Sequence, residues 1–257
     1  MKLDIVYEDK EIIVCYKPSG VATQTASLSS PDVVSLIKNY LAKQTKEKSP
    51  YVGVIHRLDQ PVSGLLVFAK NQKAAASLSK QIQDGNANKD YIAMCLGKLE
   101  EKSGTLVHYI KKDSVTKLAK VIEENDFDSN KDVKSEKTVS GDKTAKETEN
   151  SSYKKAILTY EVEKEFENAS IIKVHLQTGR FHQIRAQFSY IGHALLGDSK
   201  YGNDASRELS MKKRITKIAL CAYRLTLKHP TIGKEMEFIL EEQYLPQWYK
   251  NKGYGER

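Results

Sequence analysis

The sequence predicts an α/β (α+β) fold, with strands and helices interleaved along one chain. Three observations carry this reading. Short apolar runs bounded by charged residues, Gly or Pro recur along the chain and read as strands. Between them lie longer stretches whose apolar residues repeat with a helical period. No apolar run approaches membrane-spanning length.

Residues 3–7 and 11–16 are apolar runs split by Glu8, Asp9 and Lys10, the pattern of a hairpin. Lys17-Pro18-Ser19-Gly20 then forces a turn, because Pro fixes φ and Gly admits positive φ. Within 31–41, Val33, Val34, Ile37 and Leu41 fall at helical spacing with Pro31 near the start. Residues 45–50 are a polar loop. A strand over 52–55 enters a loop around Asp59, and 65–69 leaves it as a second strand. Asn71 suits the cap of an Ala-rich helix over 71–82.

Strands follow over 91–96 and 106–110. From 123 to 152 the chain is dominated by Lys, Glu, Asp, Ser and Thr. Such a stretch buries too little apolar area to offset the entropy of ordering it. It reads as a flexible insertion at about 123–152 within a single domain spanning 1–257, because strand-like sequence resumes at 156–162 and 171–176. Residues 178–191 predict a helix capped by Thr178, with Phe181, Ile184, Phe188 and Ile191 on one face. Residues 217–227 and 235–240 form a closing pair of strands, and a short helix over 245–250 carries the single Trp, Trp248.

A chain of 257 residues has ample length for a core, with 40% hydrophobic and 29% charged residues, as in ordinary soluble proteins. Its net charge of +8 favours a polyanionic partner, since each cation set on a phosphate releases condensed counterions. The bland alternative is a solvated lysine-rich surface. Cys15, Cys95 and Cys221 are far apart with no C-x-x-C pair, so neither a zinc cluster nor a disulfide framework is expected. They read as small buried residues in a reducing compartment. With no signal peptide and no spanning segment, a cytoplasmic protein without membrane attachment is expected.

Three stretches carry chemistry. In His56-Arg57-Leu58-Asp59-Gln60-Pro61-Val62-Ser63-Gly64-Leu65-Leu66, the strand–loop–strand pattern fixes one carboxylate at the edge of a cleft. The bland reading pairs Asp59 with a neighbouring Arg. In Lys89-Asp90-Tyr91-Ile92-Ala93-Met94-Cys95-Leu96-Gly97, Tyr91 reads from residue type alone as a core aromatic on a strand. In Leu176-Gln177-Thr178-Gly179-Arg180-Phe181-His182-Gln183-Ile184-Arg185, Arg185 lies at the border of the apolar face and needs an anion, which any structural acid could supply. His175 and His182 have no acid or Cys at ligand spacing, so no metal site is expected. One acid in place of two argues against a glycosidase.

These three stretches, in this order, resemble the RluA family of RNA pseudouridine synthases. They match its H-R-L-D-x-x-T-S-G-L-L, K-x-Y-x-A-x-V-x-G and L-x-T-G-R-x-H-Q-I-R patterns, and 191–202 continue the third. Tyr16-Lys17-Pro18-Ser19-Gly20 is similar to the family's K-P-x-G turn, and 220–230 to its late L-H-A…H-P motif. Val62 departs from the pattern, standing where the family has Thr, which removes a hydroxyl from the Asp59 loop.

The resemblance implies a pseudouridine synthase fold: a mixed, mostly antiparallel sheet bent into two lobes around a basic cleft, here without an S4-type RNA-binding domain. It implies isomerisation of uridine in structured ribosomal or transfer RNA, by a monomer. Substrate and product are isomers, so no cofactor and no metal are called for. Asp59 is implied as nucleophile or base toward the sugar, Tyr91 as the residue beneath the base, and Arg185 as the partner of the Asp59 carboxylate. Arg57, His56, Leu176, Arg180 and Lys17 are implied in RNA and base binding. Two other classes stay open: a catalytically silent RNA-binding or ribosome-assembly protein on this fold, and a hydrolase with a second acid beside Asp59.

Overall fold

The computed structural model describes residues 3–25, 30–46, 48–127 and 153–250. Their strands are β1 (Asp4–Glu8), β2 (Ile12–Lys17), β3 (Gly53–Val54), β4 (Ser63–Ala69), β5 (Asn88–Leu96), β6 (Ser103–Lys112), β7 (Ala119–Ile122), β8 (Lys154–Glu165), β9 (Ala169–Leu176), β10 (Leu220–Lys228) and β11 (Glu235–Ile239). The helices are α1 (Val33–Thr45), α2 (Gln72–Gln83), α3 (Gln183–Tyr190), α4 (Asp204–Lys212) and α5 (Gln247–Lys250).

All eleven strands belong to one open mixed sheet. Its order is β1-β2-β4-β10-β5-β9-β8-β6-β7, with β3 also on β4 and β11 also on β10. Every pairing is antiparallel except β4 with β10, where Cys221 faces Ser63 and Ala222 faces Gly64. That seam requires Gly64. Its φ is +135°, and a Cβ there would stand 2.3 Å from the Ala222 carbonyl oxygen.

Alternation along the strands sends side chains to two apolar layers. On one face Leu66, Phe68, Ala93 and Val174 pack with Val33, Ile37 and Leu41 of α1 and with Ile184 and Phe188 of α3. On the other, Leu65, Val67, Ile92, Met94 and Ile171 pack with Ala74 and Leu78 of α2 and with Trp248. All of β4 is buried, which is why it reads as an unbroken apolar run. Burying a side chain such as Leu78 or Phe188 stabilises the fold by about 1.5–3 kcal/mol. Cys15, Cys95 and Cys221 are buried free thiols within these layers.

The caps follow the sequence. Asp32 accepts from the Ser35 amide at 2.7 Å to open α1, and Asn71 from the Ala74 amide at 2.9 Å to open α2. α3 differs from expectation, starting at Gln183 instead of 178. His182 sits at φ 52°, ψ 29°, in the left-handed region, and that conformation stops the helix from extending backward. Thr178 is therefore no cap. Its hydroxyl donates to Gln183 Oε1 at 2.8 Å and accepts from the Ile157 amide at 2.8 Å.

Helix α4 has no counterpart in the sequence reading because its buried side is Ser206 and Ser210, which leave no apolar period. Strand β7 was missed as a short run with a lysine inside it. Of the expected polar insertion, 128–152 lie outside the described residues. Residues 124–127 form a helical turn, where Phe127 stacks on Tyr109 at 3.9 Å. Among the described residues no helix is long and apolar enough to cross a membrane.

Candidate active site

Asp59 lies in the loop between β3 and β4, on the layer that also holds α1 and α3. The loop is anchored from beneath by Leu58 and Val62, both buried. The missing hydroxyl at Val62 is thus replaced by core packing. Residues 17–23 hold the loop from the side. Ser19 Oγ donates to the Pro61 carbonyl at 2.6 Å, and the Gly20 amide donates to the Gln60 carbonyl at 2.9 Å. Thr23 Oγ1 donates to the Leu58 carbonyl at 2.9 Å and accepts from the Leu58 amide at 3.2 Å.

Lys17 belongs to this scaffold and not to a phosphate-binding rim. It is fully buried. Its Nζ donates to the carbonyls of Val21 at 2.7 Å, Gln60 at 3.0 Å and Pro18 at 3.2 Å, which accounts for all three hydrogens. Burial pulls its pKa down to about 8, against the opposing pull of the Asp59 charge. An ammonium held this way has no hydrogen left for RNA.

Arg185, on α3, is buried and reaches Asp59 Oδ2 through Nη1 at 2.8 Å. It has a second carboxylate. Nε donates to Asp198 Oδ2 at 2.8 Å and Nη2 to Asp198 Oδ1 at 2.7 Å. Burial alone would depress the Arg185 pKa, but the bonds and charges of Asp198 and Asp59 hold it above the ordinary value. Burial pushes the Asp198 carboxyl up, yet Arg185 and the amides of Lys200 and Tyr201 outweigh it and keep it below the usual carboxylate range.

His182 faces the same carboxylate, with Nε2 3.5 Å from Asp59 Oδ2. Its Nδ1 meets the Tyr201 hydroxyl at 2.8 Å, and Phe181 stacks on its ring at 3.7 Å. Desolvation is the larger influence on its pKa. With Arg185 and Lys200 it outweighs Asp59 and brings the value down to about 4. A cleft of about 470 Å³ opens over this group, lined by Asp59, Gln60, Pro61, His182, Arg185 and Lys200 among others.

Tyr91, on β5, is buried in the same apolar layer as Leu58. Burial first and the Asp59 charge second hold its hydroxyl protonated, well above the ordinary phenol range. Leu176 ends β9 in that layer. Arg57 is exposed and donates to Gln24 Oε1 at 3.1 Å. His56 turns inward, and its Nε2 accepts from the Val67 amide at 3.4 Å. Burial, then the Lys89 charge, lowers its pKa to about 3, so it sits there as a neutral acceptor. Arg180 is tied by Nε to the Lys155 carbonyl at 2.8 Å.

A larger cavity of about 550 Å³ lies around Asp90, which meets His175 Nδ1 at 2.7 Å and Arg224 Nε at 2.8 Å. Asp59 and Arg185 are not among the residues that line it.

The sequence reading missed Asp198, Tyr201 and the position of His182. All three lie inside the third motif and its continuation over 191–202. The signal was a carboxylate and an aromatic within a Gly-bounded run, Gly197 to Gly202, that continues the third motif.

Comparison with known proteins settles the family. The profile of the RNA pseudouridylate synthase family matches residues 11–190. The chain belongs to the RNA pseudouridine synthases of the RluA type. It is 32% identical over 245 residues to a protein named ribosomal large subunit pseudouridine synthase D from Vibrio parahaemolyticus, covering 92% of this chain and 66% of that one. It is 25% identical to one named ribosomal large subunit pseudouridine synthase C from Pasteurella multocida, covering 92% and 63%. The chain thus spans about two thirds of the length of these curated relatives. Among solved structures, human RNA pseudouridylate synthase domain containing 4 aligns with a TM-score of 0.71 at 18% identity, over 98% of this chain and 92% of that one. That likeness shows a shared pseudouridine synthase fold.

Proposed function

We propose that this pseudouridine synthase isomerises uridine to pseudouridine in structured RNA. The N-glycosidic bond is broken, the base turns, and a bond forms between C5 and C1′. The observation that carries the reading is a single carboxylate, Asp59, gripped through one oxygen by a buried Arg185 at the mouth of a cleft.

Asp59 acts on the sugar as nucleophile or base. Tyr91 supplies the floor beneath the base, with Leu176 beside it in the same apolar layer. Arg57, exposed next to the loop, displaces the target nucleotide and contacts phosphate. Arg180 is a weaker phosphate contact, since one of its nitrogens already serves Lys155. The net charge of +8 supports a polyanionic substrate. The names of the curated relatives favour ribosomal RNA as the substrate, with transfer RNA the second possibility. The protein acts as a monomer in the cytoplasm, without a cofactor.

The test is mapping of pseudouridine in RNA incubated with the wild type or with Asp59→Asn, with a carbodiimide adduct marking the product because the isomerisation itself changes no mass. The amide keeps the shape of the carboxylate but can serve as neither nucleophile nor base. Pseudouridine is expected with the wild type alone. Turnover by a deamidation-free Asp59→Asn preparation contradicts the role of Asp59.

A further inference from the structure

The two oxygens of Asp59 are in unequal surroundings. Oδ2 receives Arg185 Nη1 at 2.8 Å and faces His182 Nε2 at 3.5 Å. No hydrogen bond or ion pair among the described residues reaches Oδ1.

What His182 presents to Oδ2 depends on its tautomer, and Tyr201 decides that. The Tyr201 hydroxyl accepts from the Ala119 amide at 2.7 Å, a group that can only donate. Among the described residues the hydroxyl's own hydrogen then has one acceptor within reach, His182 Nδ1 at 2.8 Å. If it goes there, the neutral imidazole carries its hydrogen on Nε2, the nitrogen 3.5 Å from Asp59 Oδ2. The other neutral tautomer would leave the hydroxyl hydrogen without an acceptor and set a ring lone pair against the negative Oδ2. An imidazolium is disfavoured by burial and by the Arg185 and Lys200 charges. The ring is also fixed in place. It lies under Phe181, edge-on to Tyr201, on a backbone at φ 52°. A left-handed non-glycine residue costs on the order of 1–3 kcal/mol and persists where the surroundings impose it.

We propose that His182 is a positioning residue for Asp59: as the neutral Nε2–H tautomer, set by the Tyr201 hydroxyl, it donates to Oδ2 and leaves Oδ1 to meet the sugar. At 3.5 Å the contact is longer than a full hydrogen bond, and such contacts tighten when substrate fills a site. The tautomer is in turn tied to β7, because the Ala119 amide engages the hydroxyl's lone pair and so directs its hydrogen. This inference deepens the proposed isomerisation and rests on it for its catalytic meaning.

The test has two arms. In the first, protein labelled with 15N in its histidine rings is examined without RNA at pH 7, with the His182 signals identified by their loss in His182→Asn. Asn tolerates the left-handed backbone. A protonated Nε2 and bare Nδ1 are expected in the wild type, with an Nδ1–H population appearing in Tyr201→Phe. A wild-type imidazolium, or an Nδ1–H tautomer, overturns the proposal.

In the second arm, single-turnover rates and RNA affinity are measured for the same variants. Both variants should lose about tenfold to a hundredfold in rate at unchanged affinity, the worth of a hydrogen bond to a charged acceptor. Wild-type rates in His182→Asn, or a loss confined to affinity, overturn it. A wild type that makes no pseudouridine overturns the functional reading, and the positioning role with it. An active wild type bearing the wrong tautomer overturns the positioning role alone.

Discussion

Arg185 holds Asp198 with two nitrogens, at 2.7 and 2.8 Å, and gives Asp59 only one. The guanidinium is thus oriented by a carboxylate that is completely buried, while Asp59 keeps 27% of its side chain exposed. Structure and reactivity are divided between two acids on one arginine.

Asp198→Asn should therefore destabilise the protein much more than Asp59→Asn. Removing one partner of a buried pair costs about 3–5 kcal/mol, which corresponds to a Tm fall of roughly 6–20 °C in a chain of this size. Asp59→Asn should stay within about 2 °C of wild type, because Arg185 retains Asp198. Thermal unfolding of the two variants side by side decides it. Equal shifts would mean that Asp59 is the structural partner as well.

Thr23→Val should impair turnover from beneath the reactive loop. The change keeps shape but strips the Leu58 amide and carbonyl of their shared partner. A loss of about 1–3 kcal/mol in stability is expected, with a lower kcat and unaltered RNA affinity. Full activity at reduced stability would show that the loop holds its geometry without the hydroxyl.

RNA binding measured over a salt series should separate Arg57 from Lys17. Each phosphate contact contributes about −0.7 to −0.9 to the log–log slope. Arg57→Ala should make the slope shallower by about one contact, whereas Lys17→Met should leave it unchanged, because that ammonium is buried on three carbonyls. A shallower slope in Lys17→Met would place the lysine on phosphate after all.

His182 also gives stability a pH dependence. It titrates at about 4 in the fold and near 6.5 when unfolded. Between those values the unfolded chain binds the extra proton, so this contribution is full above about pH 6.5 and is lost as pH falls toward 4. Urea unfolding of wild type and His182→Asn should show the stability difference shrinking by roughly 2 kcal/mol between pH 7 and pH 4.5. A difference constant with pH would mean that the ring is not held neutral.

How far the sequence could be read depended on whether a residue's role left a periodic or compositional trace. The apolar strands β2, β4, β5 and β9 did, because burial on one or both faces forces Val, Ile, Leu and Phe into short runs. The helix over Ser206 and Ser210 did not, since its buried side is polar and satisfied by hydrogen bonds such as Gly197 N to Ser210 Oγ at 2.8 Å. The start of α3 was misplaced because the backbone of His182, not its composition, ends the helix. Within the site, Asp59, Tyr91 and Arg185 were legible as members of motifs. Asp198 was not, because nothing in its neighbours says that Arg185 will prefer it. Lys17 misled for a related reason: a lysine beside a turn looks like a surface cation until three carbonyls are found around it.

The parallel seam between β4 and β10 has a consequence for how the molecule is made. The strand that leaves the Asp59 loop completes its pairing only against Cys221 and Ala222, far along the chain. During synthesis the loop therefore emerges long before its neighbour, and the β4 edge stays open in the interval, a surface prone to mispairing. Arg185 and Asp198 also arrive late. A nascent chain carrying Asp59 thus lacks the groups that aim its carboxylate until it has grown by a further 126 residues to Arg185.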